Sequence, residues 1–232
     1  MNALRVAGLT VSRGAGPVIR DVSIELVPGR ITELVDPNGA GKTSLLEAMS
    51  GVIPAARGSV HIGTIDITKH SRVARSRLGL AHIEQGRAVF GGLTVLENLR
   101  LTARTRSRVD EVLELFPELD KRRDSAAALL SGGEQQMVVL ARAFAARPAF
   151  LLIDEMSLGL APVVFTRLLP VITRFAQEGA AILLVEQFTH LALGVAQDAM
   201  VVSSGKVTYS GDARTLLDSP DTLHSPEVLV CV

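Results

Sequence analysis

The stretch ELVDPNGAGKTSLL, from Glu33 to Leu46, contains the residues that decide the fold. Gly41, Lys42 and Thr43 stand where a phosphate-binding loop of the form GxxxxGK[ST] has its last three residues. Glycines let backbone N–H groups turn inward around phosphate oxygens, lysine adds a positive charge, and the hydroxyl can ligate Mg²⁺. The residues from Ser44 onward predict a helix whose positive N-terminal end points at the same anion.

The first position of this loop holds Asp36, where the pattern has glycine. A carboxylate about 8 Å from one phosphate charge is repelled by roughly 0.5 kcal/mol in water and about 2 kcal/mol at an effective dielectric of 20. A positive φ at this position would add on the order of 1 kcal/mol. We therefore expect nucleotide binding that is weakened but real. Taken alone, the motif is also compatible with a glycine-rich strand-to-helix turn that binds nothing.

Three short, nearly continuous apolar runs predict strands that are buried on both faces of a parallel sheet. They are ITELV, AFLLI and AAILLV, at residues 31–35, 149–153 and 180–185. Ligands of open α/β sheets bind beyond the carboxyl ends of the strands. The sequence therefore predicts an α/β fold in which Asp154–Glu155 and Glu186–Gln187 lie at the same edge as the phosphate loop.

The remaining segments differ in their periodicity. Alternation of apolar and polar residues near the N-terminus predicts an antiparallel β layer, whereas the pattern from about Thr94 to Arg147 has a helical period. We expect one domain over residues 1–232. Its core with the β layer takes up about residues 1–85 and 148–232, and a helical lobe at about residues 86–147 is inserted between two strands.

Composition narrows the range of partners. The chain has 24 Lys and Arg against 24 Asp and Glu, and its pI is about 7.0, so charge gives no reason to expect nucleic acid as a partner. The one cysteine, Cys231, excludes a disulfide within one chain and fits a reducing compartment. With no leader-like N-terminus or apolar run of membrane-spanning length, a cytoplasmic protein is expected.

Two further motifs support a nucleotide site. The run FLLIDE ends in Asp154, suited to holding Mg²⁺ through water, and Glu155, suited to orienting an attacking water. Acids at a strand end are also often simple solvated caps. In LLSGGEQQ, Ser131 and Glu134 can form a capping box, but the paired glycines favour a second anion site at a helix N-terminus. Two such helix ends predict a dimer that sandwiches ATP.

These residues resemble the ATP-binding subunits of ABC transporters over nearly the whole chain. PNGAGKT is similar to their Walker A loop, LSGGEQQ to their signature motif and LLIDE to their Walker B strand. The segments EQGRAVFGGLTVLENLR, LFPEL, SLGLAP and LLVEQ resemble the branch that energises uptake of branched-chain amino acids in bacteria. Urea and amide importers share much of this pattern. The resemblance implies a P-loop NTPase fold of the ABC ATPase type.

The resemblance also implies roles for individual residues. Glu155, Gln187 and Lys42 would be catalytic, with Gln187 at the position where most ABC ATPases have a histidine switch. Gln85, in the Q-loop, would contact Mg²⁺ with Thr43 and Asp154 and sense the membrane subunits, and residues 157–160 would form the D-loop. The ATP-binding set would be Arg13, Asn38, Gly39, Ala40, Gly41, Lys42, Thr43 and Ser44, with Ser131, Gly132, Gly133 and Glu134 reaching across the dimer. Without the resemblance, Gln85 and Gln187 would be interpreted as an ordinary loop residue and a strand-end cap.

Two more positions depart from the family pattern. Arg13 stands where an aromatic residue usually stacks on adenine; its flat guanidinium can stack as well, or it can be solvated. Met156 replaces the proline that usually follows the catalytic glutamate, which predicts a more relaxed turn before Ser157.

The sequence thus predicts an ATPase that uses ATP and Mg²⁺ and powers a bacterial importer, with branched-chain amino acids as the expected solute. The expected partners are a second copy or a related ABC ATPase, integral membrane permease subunits and, indirectly, an extracytoplasmic solute-binding protein. The chain would be peripheral on the inner face of the cell membrane. The alternatives are a urea or amide importer and a non-catalytic, regulatory half of a heterodimer. A soluble ABC protein acting on DNA or ribosomes is disfavoured, because such proteins usually have long insertions or two fused cassettes.

Overall fold

The computed structural model of the chain describes residues 2–14, 16–35, 41–86 and 88–218. The predicted positions Asp36, Asn38, Gly39, Ala40 and Cys231 lie outside the described residues. The strands are β1 (Leu4–Arg13), β2 (Gly16–Leu26), β3 (Ile31–Val35), β4 (Arg57–Ile62), β5 (Ile65–Asp66), β6 (Leu80–Ile83), β7 (Phe150–Asp154), β8 (Ala181–Val185), β9 (Asp198–Ser203) and β10 (Lys206–Asp212).

The helices are α1 (Lys42–Ser50), α2 (Arg72–Arg77), α3 (Val95–Arg100), α4 (Arg106–Leu115), α5 (Pro117–Asp120), α6 (Gly132–Ala146), α7 (Pro162–Gln177), α8 (Thr189–Leu193) and α9 (Ala213–Asp218), with a 3₁₀ turn at Ala127–Leu129. None of the helices within the described part of the chain is both long enough and apolar enough to cross a membrane.

The strands form two sheets. The first is antiparallel with the order β2-β1-β4-β5, and alternate residues of β1 are buried because only one face of this sheet meets the core. The second has the order β10-β9-β3-β8-β7-β6, and only β10 runs antiparallel to its neighbour. Every residue of β3, β7 and β8 is buried, which explains their continuous apolar sequences. The predicted fold class is confirmed.

Helices α3 to α6 lie between β6 and β7 in the chain. Capping boxes begin two of them: Thr94 with Glu97 at α3, and Ser131 with Glu134 at α6. These helices bury Leu99, Val112 and Leu140 in one hydrophobic cluster that also includes residues of α7. The inserted helices therefore share a core with one face of the main sheet.

Helix α1 occupies the space between the two sheets. Its residues Leu45, Leu46 and Met49 are fully buried in a second cluster with Leu9 and Ile19 of the antiparallel layer. On the other face of the main sheet, α7 buries an apolar stripe. Burial on both faces fixes the carboxyl ends of β3, β8 and β7 side by side.

Candidate active site

Three neighbouring strands of the main sheet end at one edge. β3 pairs with β8 and β8 pairs with β7, both in parallel, and Asp154 lies beside Val185 in register. The prediction that the acids of β7 and the polar end of β8 meet the phosphate-loop strand at one edge is confirmed. This edge is the natural ligand-binding edge of a parallel sheet.

A compact polar cluster forms where α1 begins. The Lys42 ammonium lies 4.0 Å from the Oε1 atom of Glu155, and Gln85 Nε2 donates a hydrogen bond of 3.1 Å to Glu155 Oε2. Gly41 has a φ of 126°, and a Cβ atom there would come within 2.7 Å of Ile19, so only glycine fits. The loop end, the Q-loop glutamine and the acid after β7 are therefore assembled within one chain.

Asp154 ends β7 with a side chain that is only 1% exposed. Neither of its carboxylate oxygens has a hydrogen-bond partner among the described residues. Burial raises the pKa of Asp154 to about 6, although the nearby Thr43 hydroxyl and the Lys42 charge oppose that shift. A buried carboxylate without a partner, beside a hydroxyl, fits a divalent cation with oxygen ligands, which would restore the charged form.

The signature residues occupy the start of α6 in the helical insertion. The Ser131 hydroxyl accepts a hydrogen bond from the Glu134 N–H, and the Ser131 N–H donates to the Glu134 carboxylate. Gly133 is required by packing, because a Cβ atom there would lie 2.9 Å from Val164 of α7. In the single chain Ser131 is thus a helix cap, and no hydrogen bond or ion pair of the described residues joins it to Lys42.

The structure places the two polar residues after β8 differently. Gln187 is exposed at the strand end. Glu186 is only 2% exposed and accepts hydrogen bonds from both the N–H and the hydroxyl of Ser157. Met156 is buried in the core, and its carbonyl accepts a 2.5 Å hydrogen bond from Gln136. The turn at Met156 was expected to be relaxed, but hydrogen bonds to Gln136 and to Glu186 hold it in place.

The half-exposed Arg13 side chain contacts the start of helix α1. Its guanidinium forms an ion pair with Glu47 of α1, and its Nε donates a 3.3 Å hydrogen bond to the Ser44 hydroxyl. The Arg13 side chain is 48% exposed and the Glu47 side chain 19%. Arg13 thus neutralises an acid that lies one helical turn after Thr43.

Replacing Arg13 with alanine is expected to weaken Mg-ATP binding by about 5- to 30-fold, because the uncompensated Glu47 carboxylate repels a phosphate about 8 Å away by about 1 to 2 kcal/mol at an effective dielectric near 20. Isothermal titration with Mg-ATP measures this change. Adding Glu47→Ala in the same chain should recover most of the affinity.

The matched control for this pair is Arg5→Ala, which removes the partner of exposed Glu25 on the same antiparallel sheet. That variant should bind Mg-ATP as the wild type does. Equal losses in Arg13→Ala and in the double variant would show that Arg13 contributes by a direct contact and not by neutralising Glu47.

Glu33 is a site residue that the sequence analysis did not single out. It lies within β3, is fully buried, and has no hydrogen-bond partner for either oxygen among the described residues. Burial, together with the neighbouring Glu186, raises the pKa of Glu33 well above its ordinary value, although the charge of Lys42 opposes this. An acid in the middle of an otherwise apolar run is the signal that could have indicated it.

A phosphate-loop helix that follows a central strand of a mostly parallel sheet, with two acids at the end of a strand two places away in the same sheet, defines a P-loop NTPase. The family model described as ABC transporter matches residues 19–157. The chain therefore belongs to the ABC transporter family as an ATP-binding subunit, and it is an ATPase. The family predicted from the sequence is confirmed.

Two relatives and one solved structure illustrate how similar this chain is to known proteins. The high-affinity branched-chain amino acid transport ATP-binding protein BraG of Pseudomonas aeruginosa is 37% identical over 208 residues, covering 87% of this chain and 89% of BraG. The lipopolysaccharide export system ATP-binding protein LptB of Escherichia coli K12 is 32% identical, with 86% of each chain covered. A nucleotide-free ATP-binding cassette from an ABC transporter has a TM-score of 0.85 at 22% identity, covering 99% of this chain and 98% of that one, which supports the fold.

Proposed function

We propose that this chain binds and hydrolyses Mg-ATP to drive a bacterial importer, and that branched-chain amino acids are the solute. The observation that carries the proposal is the position of Glu155, which contacts both Lys42 and Gln85 at the ligand-binding edge of the sheet. Phosphoryl transfer depends chiefly on positioning and charge neutralisation, and this cluster supplies both.

Each residue of the cluster has a defined part in this proposal. Lys42 would pair with the β- and γ-phosphates, Thr43, Gln85 and Asp154 would hold Mg²⁺, and Glu155 would orient the attacking water. Gln187 hydrogen-bonds the γ-phosphate from the end of β8, and its amide cannot change charge with pH as a histidine can. The phosphate loop, Arg13 and Ser44 bind the nucleotide, and the Mg²⁺ ion would neutralise charge that develops on the phosphates.

The signature of a second subunit completes the site in this proposal. Ser131, Gly132, Gly133 and Glu134 form a helix N-terminus that faces the nucleotide of the opposing copy, or of a related ABC ATPase. In the single chain the same N-terminus is closed by its own capping box. Dimer closure on ATP would then push on integral membrane permease subunits, which places the chain at the cytoplasmic face of the membrane.

The choice of solute rests on sequence similarity. Identity is 37% to BraG, whose name refers to branched-chain amino acids, and 32% to LptB, whose name refers to lipopolysaccharide export. The run from Gln85 through the signature to LLVEQ also resembles the amino-acid branch. An extracytoplasmic solute-binding protein is the expected further partner, and we propose a single ABC domain with the helical lobe at about residues 86–147.

A second candidate is a regulatory half that binds nucleotide without turning it over. The departures from the family pattern at Asp36, Arg13 and Met156 favour it, because changes at several positions around one site are typical of a degenerate half. The assembly of Lys42, Gln85 and Glu155 favours the ATPase over this alternative.

Phosphate release from Mg-ATP, measured with purified protein alone and with its permease subunits, tests the proposal. We expect steady turnover that rises when the permease is present and that disappears in Lys42→Ala. Turnover that is absent in both preparations, although Mg-ATP binds, would support the regulatory half. Lack of any binding would overturn both candidates.

A further inference from the structure

The backbone of Glu155 is held in an unfavourable conformation. Its φ is 45°, in the left-handed region that residues other than glycine, asparagine and aspartate seldom adopt. Such a conformation costs on the order of 1 to 2 kcal/mol and persists only where the surroundings fix it. The Glu155 N–H donates to the Val185 carbonyl at 2.8 Å, and the Leu158 N–H donates to the Glu155 carbonyl at 3.1 Å. These two backbone bonds hold the residue but leave the next two residues to other contacts.

Two buried side chains from different elements hold those next two residues. Gln136 of α6 donates a 2.5 Å hydrogen bond to the Met156 carbonyl, and Gln136 is 1% exposed. Glu186, at the end of β8, accepts from the Ser157 N–H at 3.3 Å and from the Ser157 hydroxyl. Hydrogen bonds that a buried carboxyl group accepts in the low-dielectric interior are stronger than the same bonds in water. The turn after Glu155 is therefore fixed from both sides.

Stability alone does not explain an acid at position 186. The second oxygen of Glu186 has no hydrogen-bond partner among the described residues, and Glu33 of the adjacent strand lies close enough for their charges to repel. Burial raises the pKa of Glu186 to about 7, although the two bonds from Ser157 oppose that shift. A smaller apolar residue at position 186 would avoid the cost of burying a carboxyl group. Such a residue could not accept the two hydrogen bonds from Ser157, and these bonds are therefore what the acid contributes.

We propose that Glu186 and Gln136 are positioning residues for Glu155, an inference that rests on the proposed ATPase function. They hold the Met156–Ser157 turn so that the strained backbone keeps the Glu155 carboxylate against Gln85 and Lys42. Because Gln136 belongs to the helix that begins at the signature, movement of α6 changes the support of the same turn. The position of the proposed base is thereby linked to its own subunit's signature helix.

The test compares steady-state kinetics of Glu186→Ala, Glu186→Gln and Gln136→Ala under conditions in which the wild type turns over. Loss of positioning lowers kcat without weakening ATP binding, because these residues lie beside the base and not on the phosphate loop. We expect kcat to fall about 10- to 100-fold in Glu186→Ala and about 10-fold in Gln136→Ala, with KM for ATP changed less than about 3-fold. Glu186→Gln should recover kcat to within about 3-fold of the wild type, since the amide oxygen still accepts from Ser157.

The control is Arg108→Met, which alters a residue with comparable burial whose guanidinium donates to the Phe144 carbonyl near the far end of α6. It should lower the melting temperature while kcat stays near the wild-type value. Should Glu186→Ala fail to fold, Gln136→Ala and Glu186→Gln still probe the turn from its two sides.

Several outcomes would overturn the inference. They are a wild-type kcat in Glu186→Ala or in Gln136→Ala, an unchanged kcat with a raised KM, or a Glu186→Gln variant as slow as Glu186→Ala. In these cases an active wild type and an inactive Glu155→Gln would leave the proposed function intact. A wild type that binds Mg-ATP but never releases phosphate would overturn the proposed function, and this inference with it.

Discussion

Glu155→Gln is expected to lower the turnover of ATP by about 10²- to 10⁴-fold, the usual range for loss of a general base. The glutamine side chain has nearly the same volume and can still meet Gln85 and Lys42, so the site keeps its shape. What it loses is the carboxylate that orients and deprotonates the attacking water. Phosphate release measures the loss directly.

The same variant should bind Mg-ATP at least as tightly as the wild type. Removing one negative charge that lies 4.0 Å from Lys42 leaves the ammonium free for phosphate oxygens. Size-exclusion chromatography with Mg-ATP should therefore show a dimer that persists, because the nucleotide that holds it is no longer consumed. The exposed acid Glu114 on α4 provides the control, and Glu114→Gln should keep wild-type turnover. Unchanged turnover in Glu155→Gln would remove Glu155 from its proposed role.

Glu33→Gln is expected to stabilise the protein, and the gain should grow with pH. The folded-state pKa of Glu33 is raised because the side chain is fully buried and lies near Glu186. Between the unfolded-state pKa, near 4.5, and this higher value, the native state holds one proton more than the unfolded state. The free energy of unfolding of the wild type then falls by about 1.4 kcal/mol for each pH unit in that window.

Glutamine has no proton to lose and escapes this penalty. The difference between Glu33→Gln and wild type should therefore be small near pH 5 and should grow steadily as the pH rises towards the raised folded-state pKa of Glu33. Thermal unfolding at several pH values measures it. The exposed strand acid Glu25 is the matched control, and Glu25→Gln should show no such growth. A difference that does not change with pH would mean that Glu33 does not titrate between its two states in that range.

Much of the site could be predicted from sequence because its parts are local. The phosphate loop, the strand that ends in Asp154–Glu155 and the capping signature of α6 each depend on a few consecutive residues, and the apolar runs predicted β3, β7 and β8 correctly. Glu33 was missed because an alternation or run of apolar residues gives the position of a strand but not the cost of one acid inside it. That cost depends on Glu186, which is distant in sequence and adjacent in space.

Contacts between distant residues also changed the interpretation of single positions. Arg13 was expected either to stack on adenine or to be solvated, and in the single chain its half-exposed guanidinium also pairs with Glu47 of α1. Met156 was expected to relax its turn, yet hydrogen bonds to Gln136 of α6 and to Glu186 after β8 hold that turn in place. Gly133 was expected to belong to an anion site, and the structure adds a packing reason for glycine there, the close approach of α7.

The sequence by itself determined the chemical types present and the strands and helices that carry them, because backbone propensity, capping and side-chain periodicity act over a few residues. Only the tertiary structure decided which of those residues meet. It joined β9 and β10 to the parallel sheet, brought Gln85 to Glu155 across 70 positions, and fixed the turn after Glu155 with hydrogen bonds to Gln136 of α6 and to Glu186. The physical reason is that burial on both faces of the sheet fixes its strand order, and the order of the strands places their ends together.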